Sequence, residues 1–241
     1  MKDLTSKLSP IFEELYKSRS ITDTAVSSSH YLKGAADLIF EETRGKLIID
    51  DCKYEHSDTE QFDRLFSECV NEKVIPLIDK YRLVKWVTAA TTASNIKNEA
   101  VTTDNAYQEF IDARKEVFNA TKGNLDRIVC FASSSFVAKI ELDSRFKLVS
   151  DLGMKQNNRG LTGKATSIKF IEVPEGYLPA SVNFVLADKD ASSGPIKLTS
   201  FRIFDDWPGI SGYVADYRII YGLSVAKKTL DGVFVHKSTE H

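Results

Sequence analysis

The sequence predicts an α+β protein, with helices gathered in its first half and strands in its second. Three observations carry that expectation. Apolar residues recur at helical spacing across residues 62–81 and again across 107–118, and beyond residue 126 the pattern becomes short alternating runs divided by Gly, Pro and Asn. A chain of 241 residues, 42% hydrophobic and 27% charged, has the length and balance to bury one substantial core.

Ser9-Pro10 reads as a helix start, a polar N-cap followed by Pro at the first helical position, with Glu13 and Glu14 near the positive end of the dipole. Ile11, Phe12, Leu15 and Tyr16 then fall on one face, which must be buried for so short a helix to persist. Residues 18–29 are rich in Ser and Thr with few large apolar side chains, the composition of an extended or mobile arm. Residues 36–42 and 46–52 are two apolar-centred runs joined by Thr43-Arg44-Gly45, which predicts a hairpin. An isolated hairpin is marginal in water, so it leans on a neighbour or forms an edge hairpin of the main sheet.

Ser57 to Glu60 fits a capping box, and Phe62, Leu65, Phe66 and Cys69 follow at helical spacing. The stripe continues through Val70, Val74, Leu77, Ile78 and Tyr81, with Pro76 predicting a bend or restart near residues 72–75. A second helix is expected from about Asn105 to Ala120, stopped by Gly123-Asn124. Residues 127–132 read as a strand, Ser133, Ser134 and Ser135 as the cap of a short helix over 136–142, and residues 153–163 as a polar loop. Residues 167–173 and 182–187 are expected to pair across the Pro174 to Pro179 turn. Tyr217, Ile219, Tyr221, Leu223 and Val225 alternate on one strand face, and Asp231-Gly232 turns the chain into Val233-Phe234-Val235. There is no internal repeat, low-complexity tract or clear linker.

A formal charge of -2 excludes a dedicated nucleic-acid binder, since neutralising many phosphates needs a visible excess of Lys and Arg. Cys52, Cys69 and Cys130 are odd in number and form no Cys-x-x-Cys pair, which points to reduced thiols and no zinc knuckle. The first residues form no apolar signal segment, and no run approaches the ~20 apolar residues that cross a bilayer, so a cytoplasmic protein is expected.

Gly160-Leu-Thr-Gly163-Lys164 invites a phosphate-loop reading, but Ala165 stands where a hydroxyl should meet Mg²⁺, and Asn158 stands five residues before Gly163. A mobile surface loop is the better reading. Ser133, Ser134 and Ser135 lack the Gly-x-Ser-x-Gly elbow of a nucleophile. Asp50, Asp51, Glu55, His56 and Asp58 match neither a calcium loop nor a zinc site, and read as a solvated acidic bend. His30, His56, His236 and His241 complete the histidines, the last two expected to be structural or disordered at the C-terminus. Trp207-Pro208-Gly209 reads as a core or interface anchor before a ligand platform. No catalytic, cofactor-binding or metal residue is expected.

From Gly194 onward the order is a short strand, the Trp207-Pro208-Gly209 turn, a long aromatic strand from Tyr217, and Lys227-Lys228-Thr229-Leu230-Asp231-Gly232 leading to Val233-Phe234-Val235. That order resembles the end of the tailed-bacteriophage major capsid proteins with the Hong Kong 97-like fold. Residues 10–22 are similar to the N-terminal arm of one subgroup, 34–51 to its extended loop, and 62–86, with Val74-Ile-Pro-Leu-Ile-Asp-Lys-Tyr-Arg82, to its spine helix. The resemblance implies an arm at 1–29, an extended loop at 30–57, a spine helix and peripheral domain at 58–104, an axial domain at 105–213, and a return strand and hairpin of the peripheral domain at 214–241.

It further implies a virion shell protein, not an enzyme, assembled in the host cytoplasm as hexamers and pentamers of an icosahedral head. Packaged double-stranded DNA would be contacted non-specifically. A scaffold, a portal and decoration proteins are the further partners implied, with no membrane and no cofactor. An encapsulin-like nanocompartment shell shares the fold and would be told apart by an enzyme cargo. A stand-alone α+β hydrolase would need a Ser/His/Asp pocket. Some members of the resembled family join a Lys of the extended loop to an Asn on a neighbour; Lys33, Lys46 and Lys53 supply amines here, but no Asn follows Asn183. Asn95, Asn98 and Asn105 are the fallback acceptors, and a non-covalent shell is the expectation.

Overall fold

Contacts divide the chain into two compact units, the first from Met1–Asp23, Leu38–Asp79 and Gly194–Leu223, the second from Thr24–Asp37, Lys80–Ser193 and Ser224–His241. A computed structural model describes residues 2–27, 40–50, 58–142, 155–157, 160–165, 168–204, 207–210 and 212–239. Strands and helices are numbered along the chain.

In the first unit, β1 (Lys2–Asp3) leads into α1 (Thr5–Arg19). The helix begins at Thr5 rather than at Pro10; Asp3, two residues upstream of Thr5, takes up the first helical N–H. Its Oδ1 accepts from the Thr5 backbone N–H at 2.9 Å and from the Thr5 hydroxyl at 2.6 Å. The same hydroxyl oxygen accepts the Phe201 N–H at 2.8 Å, tying the helix start to the sheet. Pro10 therefore lies inside the helix. The missing hydrogen bond there is offset by full burial of Leu8, Phe12 and Tyr16, spaced four apart on one face.

The sheet of this unit has the order β1, β10 (Ile196–Phe204), β11 (Gly212–Gly222), β2 (Phe40–Asp50), antiparallel throughout. The expected hairpin with its turn at Thr43-Arg44-Gly45 is not formed. β2 runs through those residues as one strand, paired with β11 from Asp50 opposite Gly212 to Phe40 opposite Gly222. Gly45 is there because the Tyr217 ring lies flat over it: a Cβ at residue 45 would overlap the phenol.

Helix α2 (Asp58–Cys69) continues through a π turn (Val70–Val74) into α3 (Ile75–Thr92). The irregularity expected at residues 72–75 is thus present, as a widened turn ahead of Pro76 that accommodates a ring lacking the N–H. Phe62, Phe66, Val70, Val74 and Ile78 are buried along it, and the Phe66 ring meets Phe201 edge to face at 4.9 Å.

The second unit is built on a mixed sheet of order β3 (Ile96–Asn98), β13 (Val233–Lys237), β8 (Val182–Asp188), β4 (Ile128–Ser133), β7 (Ile168–Val173), β6 (Gly160–Ala165), β5 (Lys155–Asn157). A two-residue ladder joins β9 (Ser192–Ser193) to β12 (Ser224–Val225). Helices α4 (Ala106–Ala120) and α5 (Ser134–Leu142) cover one sheet face. Phe110, Phe136, Phe170 and Phe184 pack there within 6.1 Å of one another along the chain of ring contacts. The Trp86 ring stacks on Phe131 at 5.4 Å and donates to the Ser192 hydroxyl at 2.7 Å.

Four expectations are corrected in these regions. Residues 155–157 and 160–165 form strands instead of a polar loop. β7 and β8 do not pair, since β4 lies between them, parallel to β7 and antiparallel to β8. The strands flanking Asp231-Gly232 are not a hairpin either: β11 pairs with β10 and β2, while β13 pairs with β3 and β8. Gly232 ends a 3-10 turn (Lys227–Gly232), where a Cβ would come within 3.0 Å of Asp188 Cβ. Lastly, the segment after α1 is packed, with Ser20, Thr22, Ala25 and Val26 buried; residues 28–29 lie outside the described residues. Cys69 and Cys130 are free thiols, and burial pushes the Cys130 thiol well above its ordinary value. Cys52 lies outside the described residues.

Helix α4 ends in a paired cap, Gly123 N–H to Phe118 O at 2.9 Å and Lys122 N–H to Asn119 O at 3.3 Å. Lys122 occupies the left-handed position at φ 55°. Lys122→Gly is expected to raise stability by about 1 kcal/mol, read from the urea midpoint at unchanged m-value.

Candidate assembly surfaces

β2 is the outer strand of the first unit's sheet, and among the described residues nothing pairs with its outer edge. Its side chains alternate. Thr43, Gly45 and Leu47 face inward and are partly covered, whereas Phe40, Glu42, Arg44, Lys46 and Ile48 are on the other face. Phe40 and Ile48 are 55% and 54% exposed, large apolar side chains that a lone subunit leaves in water.

Between them lie charges ordered across the strands. Asp3, Arg202, Asp216 and Lys46 are successive cross-strand partners on β1, β10, β11 and β2, so signs alternate across the whole sheet. Beside this row, Glu42 accepts from both Arg44 and Arg218. Those two guanidiniums hold the Glu42 carboxyl below its ordinary range. Charges along an edge strand disfavour indiscriminate pairing with other strands.

The inner side of β2 is held by a packed column. The Tyr217 ring covers Gly45, meets Phe66 at 6.1 Å, and its hydroxyl lies 3.3 Å from Cys69 Sγ. Burial and the neighbouring thiol push the phenol well above its ordinary value. At the end of the sheet, Trp207 and Ile210 bridge a turn whose Gly209 has φ 83°. Phe204 meets Trp207 edge to face at 5.2 Å, and the Lys46 ammonium sits 4.1 Å above the indole. Trp207 is thus an anchor for the strand rather than a free platform. The exchangeable amine of Lys46 is engaged with it.

The other candidates are placed as follows. Lys164 stands on β6, followed by β7 and not by the helix that a phosphate loop requires. Ser133 Oγ accepts the Phe136 N–H at 3.3 Å as the cap of α5, and Ser134 donates to Val173 O at 3.1 Å. Asp50 ends β2 and Asp58 begins α2, while Asp51, Glu55 and His56 lie outside the described residues, as do His30, Lys33, Lys53, Asn158 and His241. Among the described residues no group of three or more His, Cys, Asp or Glu side chains is disposed to hold a metal ion. Asn95 donates to Leu230 O at 3.0 Å, Asn105 donates to Ala100 O at 2.9 Å, and Asn98 closes β3 at the sheet edge.

Two buried polar constellations escaped sequence reasoning. In the first unit, Asp79 is 2% exposed and receives four hydrogen bonds from the chain just after α1. Ser20 Oγ donates at 2.6 Å, Thr22 Oγ1 at 2.5 Å, and the Ile21 and Thr22 N–H groups at 3.1 and 3.3 Å. Burial raises the Asp79 carboxyl above its ordinary range, against the opposing pull of those donors. In the second unit, His236 is fully buried between Glu109 Oε2, 3.2 Å from Nε2, and the Asn183 amide, 3.1 Å from Nδ1. A carboxylate directly after the stripe residues Leu77 and Ile78, and a His closing Val233-Phe-Val, were the available signals.

No protein-family model matches the chain, and no curated protein matches it by sequence. Solved structures do. A chain of Mycobacterium phage Bobi aligns over 90% of this chain and 81% of its own at 12% identity, with a TM-score of 0.60. The bacteriophage PhiM1 mature capsid aligns over 89% and 78% at 12% identity with a TM-score of 0.53. The capsid structure of cyanophage P-SCSP1u aligns over 89% and 79% at 11% identity with a TM-score of 0.54. The chain shares the α+β fold of these phage structures, the PhiM1 and P-SCSP1u capsids among them, the Hong Kong 97-like fold.

Proposed function

We propose that this chain is the major capsid protein of a tailed bacteriophage, a structural subunit and not an enzyme. Copies assemble as hexamers and pentamers into an icosahedral head around double-stranded DNA. The observation that carries this reading is the likeness along nearly the whole chain to shell structures, 89% of it in the case of the PhiM1 mature capsid. A fold by itself hosts many functions. Here the outer edge of β2, with its alternating charges and exposed Phe40 and Ile48, adds a surface suited to repeated contacts between copies. Heterologous contacts closed by rotation make rings from one kind of chain.

In this reading residues 30–57 are the extended loop and contain β2, residues 58–104 with α2 and α3 are the spine helix and peripheral domain, residues 105–213 are the axial domain, and residues 214–241 return to the peripheral domain. The shell is assembled in the host cytoplasm and resides in the virion, with a scaffold, portal and decoration proteins as further partners. The formal charge of -2 favours non-specific, loose contact with packaged DNA. No described helix is long and apolar enough to cross a membrane. Electron microscopy of the purified protein tests the proposal. Closed shells of uniform curvature are expected, and a protein that stays monomeric at all concentrations and salt conditions would overturn it.

The shell is held by non-covalent burial. Lys46 is occupied by Trp207, and Asn95 and Asn105 by local hydrogen bonds. An isopeptide bond needs an amine and a carboxamide held together in a dry site. Boiled particles should run on a denaturing gel as a single band near 27.0 kDa. A ladder of oligomers that survives reducing agent would contradict this.

A further inference from the structure

The imidazole of His236 is held from three sides, and two of the three groups specify one tautomer. Glu109 on α4 is a hydrogen-bond acceptor, so Nε2 carries the proton that fills the 3.2 Å contact. The Asn183 amide nitrogen is a donor, so Nδ1 must be bare to accept at 3.1 Å. Phe184 stacks on the ring at 5.1 Å with planes 18° apart.

Asn183 reaches the ring because the ladder slips there. His236 is opposite Phe184 but Lys237 is opposite Val182, which leaves Asn183 as the extra residue of a bulge in β8. In a regular strand its side chain would point away from the face that Phe184 shares with His236. The bulge turns the amide back onto Nδ1.

Other charges reach the site from β3 and the residue after it. Lys97 donates to Glu109 Oε2 at 2.6 Å and lies 2.9 Å from Glu99, so the Glu109 carboxylate is shared by an ammonium and the imidazole. Burial pulls the Lys97 ammonium down, but its bonds to Glu109 and Glu99 win and hold it above its ordinary value. Burial lowers the imidazole below its ordinary 6.5, and the Lys97 charge adds to that, against the pull of Glu109 and Glu99.

We propose that Glu109, His236 and Asn183 form an acid-operated latch on the C-terminal strand, closed when Nδ1 is bare and released when a second proton makes Nδ1 and the Asn183 amide two facing donors. The proton comes from solvent and goes to Nδ1; no covalent bond changes. Release acts on a defined part of the fold. β3 pairs only with β13 among the described strands, and Ser238 N–H bonds Ser181 O at 2.6 Å just beyond the bulge. Loosening β13 at His236 therefore frees the sheet edge formed by Ile96–Asn98.

The sign follows from linkage. The folded state binds the proton less readily than the unfolded chain, so the latch contributes fully above about pH 6.5 and is lost as pH falls toward the lower folded value. Hydrogen exchange of the full-length chain, corrected for intrinsic rates, tests this between about pH 8 and about pH 5. Protection of residues 96–98 and 233–238 is expected to fall about tenfold or more relative to β4 and β7. His236→Gln should remove the pH dependence in that range. Asn183→Asp should also remove it, by accepting from the protonated Nδ1 and keeping the strand docked. Nitrogen NMR of the wild-type ring should show the Nε2–H tautomer near pH 8. Uniform protection across the range in the wild type, pH-dependent opening that persists in His236→Gln, or an Nδ1–H tautomer would each overturn the latch. Should His236→Gln fail to fold, Asn183→Asp and the ring tautomer decide.

Discussion

Asp79→Ala is expected to destabilise the first unit by about 3 kcal/mol or more, the range for removing one partner of a buried, hydrogen-bonded charge. Among the described residues the carboxylate's bonded partners are Ser20, Ile21 and Thr22, which supply two hydroxyls and two N–H groups. Deleting it removes the shared acceptor of all four donors in a largely buried site, where Ser20, Thr22 and Asp79 are at most 7% exposed. Asp79→Asn keeps one acceptor oxygen and should lose roughly half as much. Because burial raises this carboxyl above 3.8, the folded state takes up its proton more readily than the unfolded chain. Mild acid therefore adds to stability through Asp79 and does not open the clamp. Urea titrations of the two variants at neutral pH, with hydrogen exchange of residues 18–26, check both statements. Equal midpoints for wild type and Asp79→Ala would show that the clamp carries no stability.

Gly45→Ala is the second substitution with a large expected effect. Its new methyl would occupy the volume of the Tyr217 ring, which is itself wedged against Phe66 and Cys69. Overpacking of this kind costs about 1–3 kcal/mol, and the ring or the strand must move to relieve it. Moving the strand detaches β2 from β11 over a ladder running from Phe40 to Asp50, so the shell assembly proposed above should be lost together with stability. Combining Gly45→Ala with Tyr217→Ala removes the collision. The double variant should be less destabilised than the sum of the single ones, by about 1 kcal/mol or more in a double-mutant cycle. Additive single effects would mean that the ring and the glycine are not coupled.

Helix existence was legible because it rests on local spacing. Helix α4 and the stop at Gly123, the strand over residues 128–133, the serine cap of α5 and the interruption ahead of Pro76 all follow from residues within one or two turns of each other. Boundaries were less so. Pro10 fits a first helical position by local rule, yet the helix starts at Thr5, whose N–H bonds Asp3 and whose hydroxyl accepts the Phe201 N–H from outside the local window.

Strand partnership was decided elsewhere in the chain. Thr43-Arg44-Gly45 has the chemistry of a turn, and nothing local reveals that residue 217 will bring an aromatic ring over the glycine. Residues 167–173 and 182–187 are sequential and alternate alike, but β4 arrives from forty residues earlier to lie between them. The same holds for the buried polar groups. Asp79 and His236 each directly follow apolar residues in the sequence, and their partners lie 57 to 59 and 53 to 127 residues away. By itself the sequence determined the α+β class, the existence of the helices, the serine cap of α5, the near-neutral charge and the order of segments that resembles a phage shell protein. Only the tertiary structure decided which strands are neighbours, why residue 45 is glycine and where the buried carboxylates and imidazole find their partners. Those depend on long-range register and on the cost of an unpaired group away from water, quantities that exist only once distant segments are brought together.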